Sequence, residues 1–263
     1  MKAVHVLVAL AALASPLEAL AQTADGTVRF ISCPIYRDTD AGRKSGCWLA
    51  DERETGRRFD VTNAPSKPDW NHEVLVEGRI AKADPGQPDA CGGVVLAPVR
   101  VSILPGDCTR QMLPAEDFKG RPYVLPPRNV RPISEPRAKV ERPFVDKTFS
   151  LLFDFNRTFI VYQLDDYLLD QAITYIRGVK PKSIIVTGYA ATTPSTVSGR
   201  SIAEAPDLAQ RRAEEITEAL VRLGVQPATI QTKWKTAAQP SDAPGADGLA
   251  EPSRRRVDIR VIP

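Results

Sequence analysis

An α+β fold in two parts is expected from three features of the chain. Residues 24–108 hold short apolar or alternating runs broken by turn signals, residues 148–263 alternate strand-like and helix-like patterns, and many of the 23 prolines crowd into the stretch between. The chain has 263 residues, enough for one large domain or two small ones, and 43% of them are hydrophobic, enough to build cores. With 35 Lys+Arg against 32 Asp+Glu the net charge is +3, too little to imply a nucleic-acid partner. The only histidines are His5 and His72, so a histidine triad or a multi-histidine metal centre is not expected. G-x-S-x-G, H-E-x-x-H and phosphate-cradling Gly-rich motifs are absent. The reading is therefore non-enzymatic, with no cofactor; the enzymatic alternative is a carboxylate-based glycosidase, whose two acids need not be close in sequence.

The first 21 residues read as a secretory signal peptide. Lys2 is followed by the apolar run Val4 to Ala14, and Ala19-Leu20-Ala21 has the small-x-small cleavage pattern. No internal apolar run approaches the ~20 residues of a membrane-spanning helix, so no such helix is expected in the mature chain.

Residues 22–108 read as a β-rich, disulfide-bearing domain. Runs at Val28 to Ser32, Cys47 to Ala50, Arg57 to Thr62, Glu73 to Ala81 and Val94 to Leu104 suggest five strands in a small barrel or sandwich. An OB-like barrel has that strand count. Cys33, Cys47, Cys91 and Cys108 all lie here. An even count in an exported chain reads as disulfides with three connectivities, and short-loop pairing favours Cys33–Cys47 with Cys91–Cys108. A four-cysteine zinc site lacks the C-x2-C spacing. Trp48 reads as a core aromatic, and Trp70 as either core or ligand platform.

Residues 109–147 read as a Pro-rich basic linker, with seven prolines and nine basic against five acidic residues. Such backbone is extended at ~3.1 Å per residue, so a spacer holding two domains apart is expected.

Residues 148–263 give the order β-α-β-α-β-β, two helices on one face of a mixed sheet. Phe149 to Phe155 is the first strand. Leu164, Leu168, Leu169, Ala172, Ile173 and Ile176 recur at helical period, with Gly178 closing the helix and Pro181 beyond it. Ser183 to Gly188 is the second strand. Pro206 and Asp207 open a second helix with the apolar stripe Leu208, Ala213, Ile216, Leu220 and Leu223, ended by Gly224. Ile230 to Trp234 is the third strand, and Val257, Ile259 and Val261 mark the last. Thr192 to Thr196 reads as plain loop, and Asp242 to Pro252 as a long flexible loop.

Four ordered motifs in this half carry a resemblance. Phe153-Asp154-Phe155-Asn156, Val186-Thr187-Gly188-Tyr189, Leu208-Ala209-Gln210-Arg211-Arg212-Ala213 and Arg254-Arg255-Arg256-Val257-Asp258-Ile259 resemble the F-D-F-[DN], G-[HY]-T-D, L-S-x-x-R-A and N-R-R-V-E-I motifs of the OmpA-like (peptidoglycan-associated) C-terminal domain family. The resemblance implies a non-enzymatic cell-envelope protein, periplasmic and outer-membrane associated. Its domain would bind the peptidoglycan stem peptide at diaminopimelate, while the N-terminal domain and linker meet envelope protein partners. The implied contact set is Arg212, Asp154, Tyr189, Thr192, Asp207 and Arg255. In the family the arginine of L-S-x-x-R-A holds the ligand carboxylate, and the aspartate of G-H-T-D holds its ammonium, which suits the guanidinium fork and the ammonium–carboxylate pair.

This sequence departs from the pattern at three places. Ala191 stands at the aspartate position, Ala205 where an asparagine is usual, and Arg254 in place of the closing asparagine. An ammonium without its counter-charge loses about 1.5–3 kcal/mol. Glu204 and Asp207 are the candidates for a substitute carboxylate. Arg212 has a simpler alternative, an ion pair with Glu215 on the helix surface, and Arg254 to Arg256 could form a solvated sheet edge. The alternative function is a structural subunit of a secretion or conjugation machine, whose OmpA-like domain has lost peptidoglycan and makes protein–protein contacts.

Overall fold

The computed structural model describes residues 26–40, 46–82, 91–120, 139–158 and 163–263. The signal-peptide segment lies outside these residues, as does the most proline-dense part of the linker.

The described residues of the N-terminal half form a seven-stranded sheet. Its strands are β1 (Thr27–Ser32), β2 (Pro34–Arg37), β3 (Cys47–Asp51), β4 (Arg58–Asp60), β5 (His72–Ile80), β6 (Val94–Asp107) and β7 (Gln111–Leu113), in the order β1-β5-β6-β4-β3-β2-β7. Two strands more than expected are present. Pro34–Arg37 and Gln111–Leu113 are too short to show a period of their own; the first pairs antiparallel with β3, and the second pairs in parallel with the first. The sheet thus runs past residue 108, and Phe118 continues the contact by lying under the Arg37 guanidinium, 3.9 Å from its ring centre.

Alternation along the three longest strands sorts their side chains into two buried faces. Val28, Phe30, Val74, Val76, Val99 and Val101 fill the N-terminal core with Phe59, Val61 and Leu96. The opposite face of the same strands carries Arg29, Ile31, Leu75, Glu77, Arg100, Ser102 and Leu104, each more than half covered. Alternation alone would assign the charged members of that face to solvent. They are instead packed against the second half of the chain.

The disulfides are Cys33–Cys108 and Cys47–Cys91, with Cα separations of 5.7 and 5.9 Å. This corrects the short-loop pairing. Sheet order decides it: the ends of β1 and β6 meet across β5, and the parallel β4–β6 pairing brings Cys91 beside β3. The closed loops span 75 and 44 residues. In the chain-entropy model loops of that size stabilise by about 4 kcal/mol each.

The C-terminal half follows the expected order. Strands β8 (Lys147–Leu152), β9 (Ser183–Tyr189), β12 (Ile230–Lys235) and β13 (Arg256–Ile262) form a mixed sheet in the order β12-β9-β13-β8. Helices α1 (Gln163–Val179) and α2 (Leu208–Arg222) pack on it. Gly178 lies inside α1, and Lys180 takes the left-handed turn (φ 51°) that the sequence suggested for glycine. The loop before α2 is longer on purpose. It folds as a hairpin of β10 (Ser195–Val197) and β11 (Arg200–Ile202), joined by Ser198 and Gly199, both at positive φ as a two-residue hairpin turn requires. The stretch expected to be a flexible loop before β13 is packed, with Ala243, Ala246 and Leu249 buried and a short helix α3 at Ala250–Ser253. No helix among the described residues is long and apolar enough to cross a membrane.

The two halves touch directly. Ile31, Leu75 and Leu104 of the first sheet share an apolar cluster with Phe155 and Val197 of the second half. The described ends of the linker belong to their neighbours: Val140 and Phe144 pack on the C-terminal core, and the Tyr175 hydroxyl donates to the Val145 carbonyl at 2.6 Å. The spacer expectation is therefore replaced by a docked pair.

Candidate functional site

Arg212 sits at the centre of the candidate site. Leu208, Arg212, Ile216 and Leu220 follow one another at four-residue spacing, so they share one face of α2. That face looks at the sheet. Gly188 of β9 lets α2 close in, because a Cβ there would collide with the Ala209 carbonyl. The guanidinium is consequently fully buried. A surface pair with Glu215 is excluded by this orientation.

All five N–H donors of Arg212 are used internally. Nη2 donates to Glu204 Oε1 at 2.6 Å and Nη1 to Glu204 Oε2 at 3.0 Å, a bidentate fork. Nε donates to the Arg157 carbonyl at 2.8 Å, Nη1 to the Tyr189 carbonyl at 2.9 Å and Nη2 to the Asp154 carbonyl at 3.4 Å. The Phe153 ring lies 5.0 Å from the guanidinium carbon. Glu204 is equally satisfied: Oε1 also accepts from the Asn156 amide at 2.9 Å and Oε2 from the Ala191 amide at 2.8 Å. The chain's own carboxylate thus occupies the arginine's fork.

Ala191 is consistent with this arrangement. It is 8% exposed and its amide is hydrogen-bonded to Glu204. A carboxylate at 191 would sit next to a buried carboxylate, and two like charges at that range oppose ionisation.

The remaining candidates separate. The Asp154 side chain turns away from Arg212 and accepts from Ser66 of the N-terminal half at 2.6 Å. Burial pushes its carboxyl up, against the pull of Ser66, Arg100 and Arg255. Tyr189 contributes its carbonyl to Arg212, while its ring lies under the Arg256 guanidinium at 3.9 Å. Thr192 accepts from the Ala237 amide at 2.8 Å. Asp207 is exposed, caps nothing with its side chain, and lies 3.4 Å from Arg211. Arg255 is fully buried and grips Glu77 of β5, with Nη2 at 2.5 Å and Nη1 at 3.2 Å. Arg255 and Arg256 are therefore interior residues and not a solvated edge.

Glu77 also accepts from Arg29 Nε at 2.9 Å. Burial alone would raise its carboxyl, and the two guanidiniums outweigh that, so the net shift is downward. Glu77 was not singled out from the sequence. Its position in the β5 alternation, beside Leu75 on the non-core face, is the signal that could have found it. Cys47, Asp60 and Cys91 bring ligand-type atoms together, but both sulfurs are spent in the disulfide, so the cluster does not suit a metal ion.

The model of the OmpA family matches residues 152–254. Residues 152–254 are an OmpA family domain. Among solved structures, the C-terminal half is similar to the OmpA-like domain of FopA1 from Francisella tularensis, at 19% identity over 43% of this chain and 70% of that one, with a TM-score of 0.33. It is also similar to the peptidoglycan-associated lipoprotein of Burkholderia pseudomallei, at 26% identity over 42% and 86%, with a TM-score of 0.32. The cell wall anchor of the type VI secretion system of Pseudomonas aeruginosa matches at 23% identity over 46% and 85%, with a TM-score of 0.34. No curated protein matches the chain. The family match does not extend into the N-terminal half.

Proposed function

We propose that this is a non-enzymatic periplasmic envelope protein whose OmpA-like domain serves as a structural module, with its peptidoglycan-type site closed from within. One observation carries the reading: Glu204 fills the fork of Arg212 and leaves the guanidinium no free donor. A stem-peptide carboxylate would have to displace an equivalent group that is already buried and fully hydrogen-bonded. Ala191 supplies no partner for an ammonium. OmpA-like domains are periplasmic envelope domains and generally non-enzymatic, and two disulfides suit an oxidising compartment. The module would then make protein–protein contacts in an envelope assembly.

Arg212 at the family's arginine position favours a second reading, a peptidoglycan anchor. Co-sedimentation of the full chain with sacculi decides between them. The closed site predicts that the protein stays in the supernatant. Pelleting that Arg212→Lys abolishes, with the variant still folded, would establish the anchor instead.

A further inference from the structure

The carboxylate that closes the site is delivered by the β10–β11 hairpin, and the hairpin is held largely by the other half of the chain. Its strands have three residues each and pair only with one another. A lone two-stranded ribbon of this length is not stable in water. What fixes it is the non-core face of the N-terminal sheet. Arg29 Nη1 donates to the Ser195 hydroxyl at 2.8 Å, and the Ile31 amide donates to the Ser198 hydroxyl at 3.0 Å. Arg200 pairs with Glu73 at 2.8 Å. Val197, 3% exposed, completes the apolar cluster of Ile31, Leu75, Leu104 and Phe155.

We infer that the N-terminal sheet is a latch: it clamps the hairpin and so keeps Glu204 seated on Arg212. Loss of the clamp frees the hairpin, withdraws Glu204 and opens Arg212 to a carboxylate from another molecule. The OmpA-like domain is then a switchable carboxylate receptor, and whatever separates the halves controls it. This inference rests on the closed-site reading. It adds that the closure is conditional and that its control lies outside the domain.

Hydrogen exchange on the full chain tests it. The Ala191 and Asn156 amides report on Glu204, because both donate to its carboxylate. The variant combines Ser195→Ala, Ser198→Gly and Arg200→Ala. It removes the polar clamp, touches no group bonded to Arg212, and keeps a residue suited to positive φ at 198. Both reporter amides should exchange at least tenfold faster in the variant, while Val186 and Ile259 in the central strands stay as protected as before. A fluorescent diaminopimelate-containing muropeptide should bind the variant and not the wild-type chain. Unchanged exchange at the two reporters would overturn the latch and leave the closed site standing. Equal acceleration at all four amides would also overturn it, since the hairpin would then open only with the whole fold. Faster reporters without muropeptide binding would overturn the receptor role. Sacculus or muropeptide binding by the wild-type chain would overturn the closed-site reading itself.

Discussion

Among the described residues two arginine–glutamate pairs are buried on both sides, and they differ in what they join. Arg212–Glu204 joins residues eight apart and lies within the OmpA-like domain. Arg255–Glu77 joins residues 178 apart and crosses between the halves. The two flank one turn, with Phe153 beneath Arg212, Phe155 near Arg255 and Asp154 between them. Both arginines stand in family motifs, yet neither offers a donor to solvent. In the proposed reading the first pair shuts a site, and the second joins the N-terminal sheet to the same end of the C-terminal one. A buried ion pair is weak evidence for net stability, because desolvating both charges offsets most of their attraction. Breaking one is costly all the same, since it strands the other charge.

The largest effect should come from the covalent frame, which only the N-terminal half possesses. Reduction of Cys33–Cys108 and Cys47–Cys91 should cost that half about 4 kcal/mol per bond. Denaturation followed by exchange in β5 should register it directly. If the halves are mutually dependent, β9 and β13 lose protection as well.

Next comes the inner pair. Glu204→Ala leaves Arg212 buried with backbone carbonyls alone and should destabilise by about 3–5 kcal/mol, read as a shifted denaturation midpoint. Arg255→Met should cost less, because Glu77 keeps Arg29 as a partner. It should also split unfolding into two transitions, one followed by Trp48 and Trp70 and the other by Trp234. A single transition at an unchanged midpoint would erase the distinction between the pairs.

Acid sharpens the contrast among carboxylates at the junction. Glu77 is held below its ordinary range, so it binds its proton less readily folded than unfolded. Its contribution is present above the unfolded value and is lost as pH falls through the folded one. Asp154 is held above its range, so the folded state binds its proton more tightly. Its effect has the opposite sign: stability declines as pH rises from the unfolded value through the folded one. Asp154→Asn should remove that decline, and a pH series of denaturation midpoints for wild type and variant would reveal it. The smallest expected change is Arg110→Ala. This removes a guanidinium 4.2 Å from the Trp70 ring centre and should cost about 0.5–1 kcal/mol.

The four sheet strands and two long helices of the C-terminal half were legible because each is long enough to show its period. The Arg212 environment was legible in part. The four-residue spacing 208, 212, 216, 220 carries the signal for its inward position, but the sequence reading kept Arg212 out of the apolar stripe, as a ligand contact or a surface partner of Glu215, and did not find its partner Glu204. Glu204 lies on a loop without period, placed by the hairpin before it and by the bond of its own amide to the Ala191 carbonyl at 3.0 Å. The hairpin itself read as loop, because three-residue strands show no alternation. In the N-terminal half the alternation of β1, β5 and β6 was visible, but not what covered the second face. Arg29, Glu77 and Arg100 look like a solvent face until a partner carrying Arg255 is placed on it. Disulfide pairing was unreadable for a related cause: it depends on which strands are neighbours, and sequence distance misleads when β5 and β6 lie between β1 and β4.

The two-sided burial of β5 bears on heredity. A domain with its own core and a polar surface can be copied into new chains and work at once. This pair has given up that freedom. Cut loose, the first half would present Ile31, Leu75 and Leu104 to water beside a glutamate left with Arg29 alone, and the second half would present Phe155, Val197 and an arginine without its carboxylate. Each half is thus shaped to be covered by the other. Recombination that swaps either one must bring along a face that fits, so the two should descend as a unit.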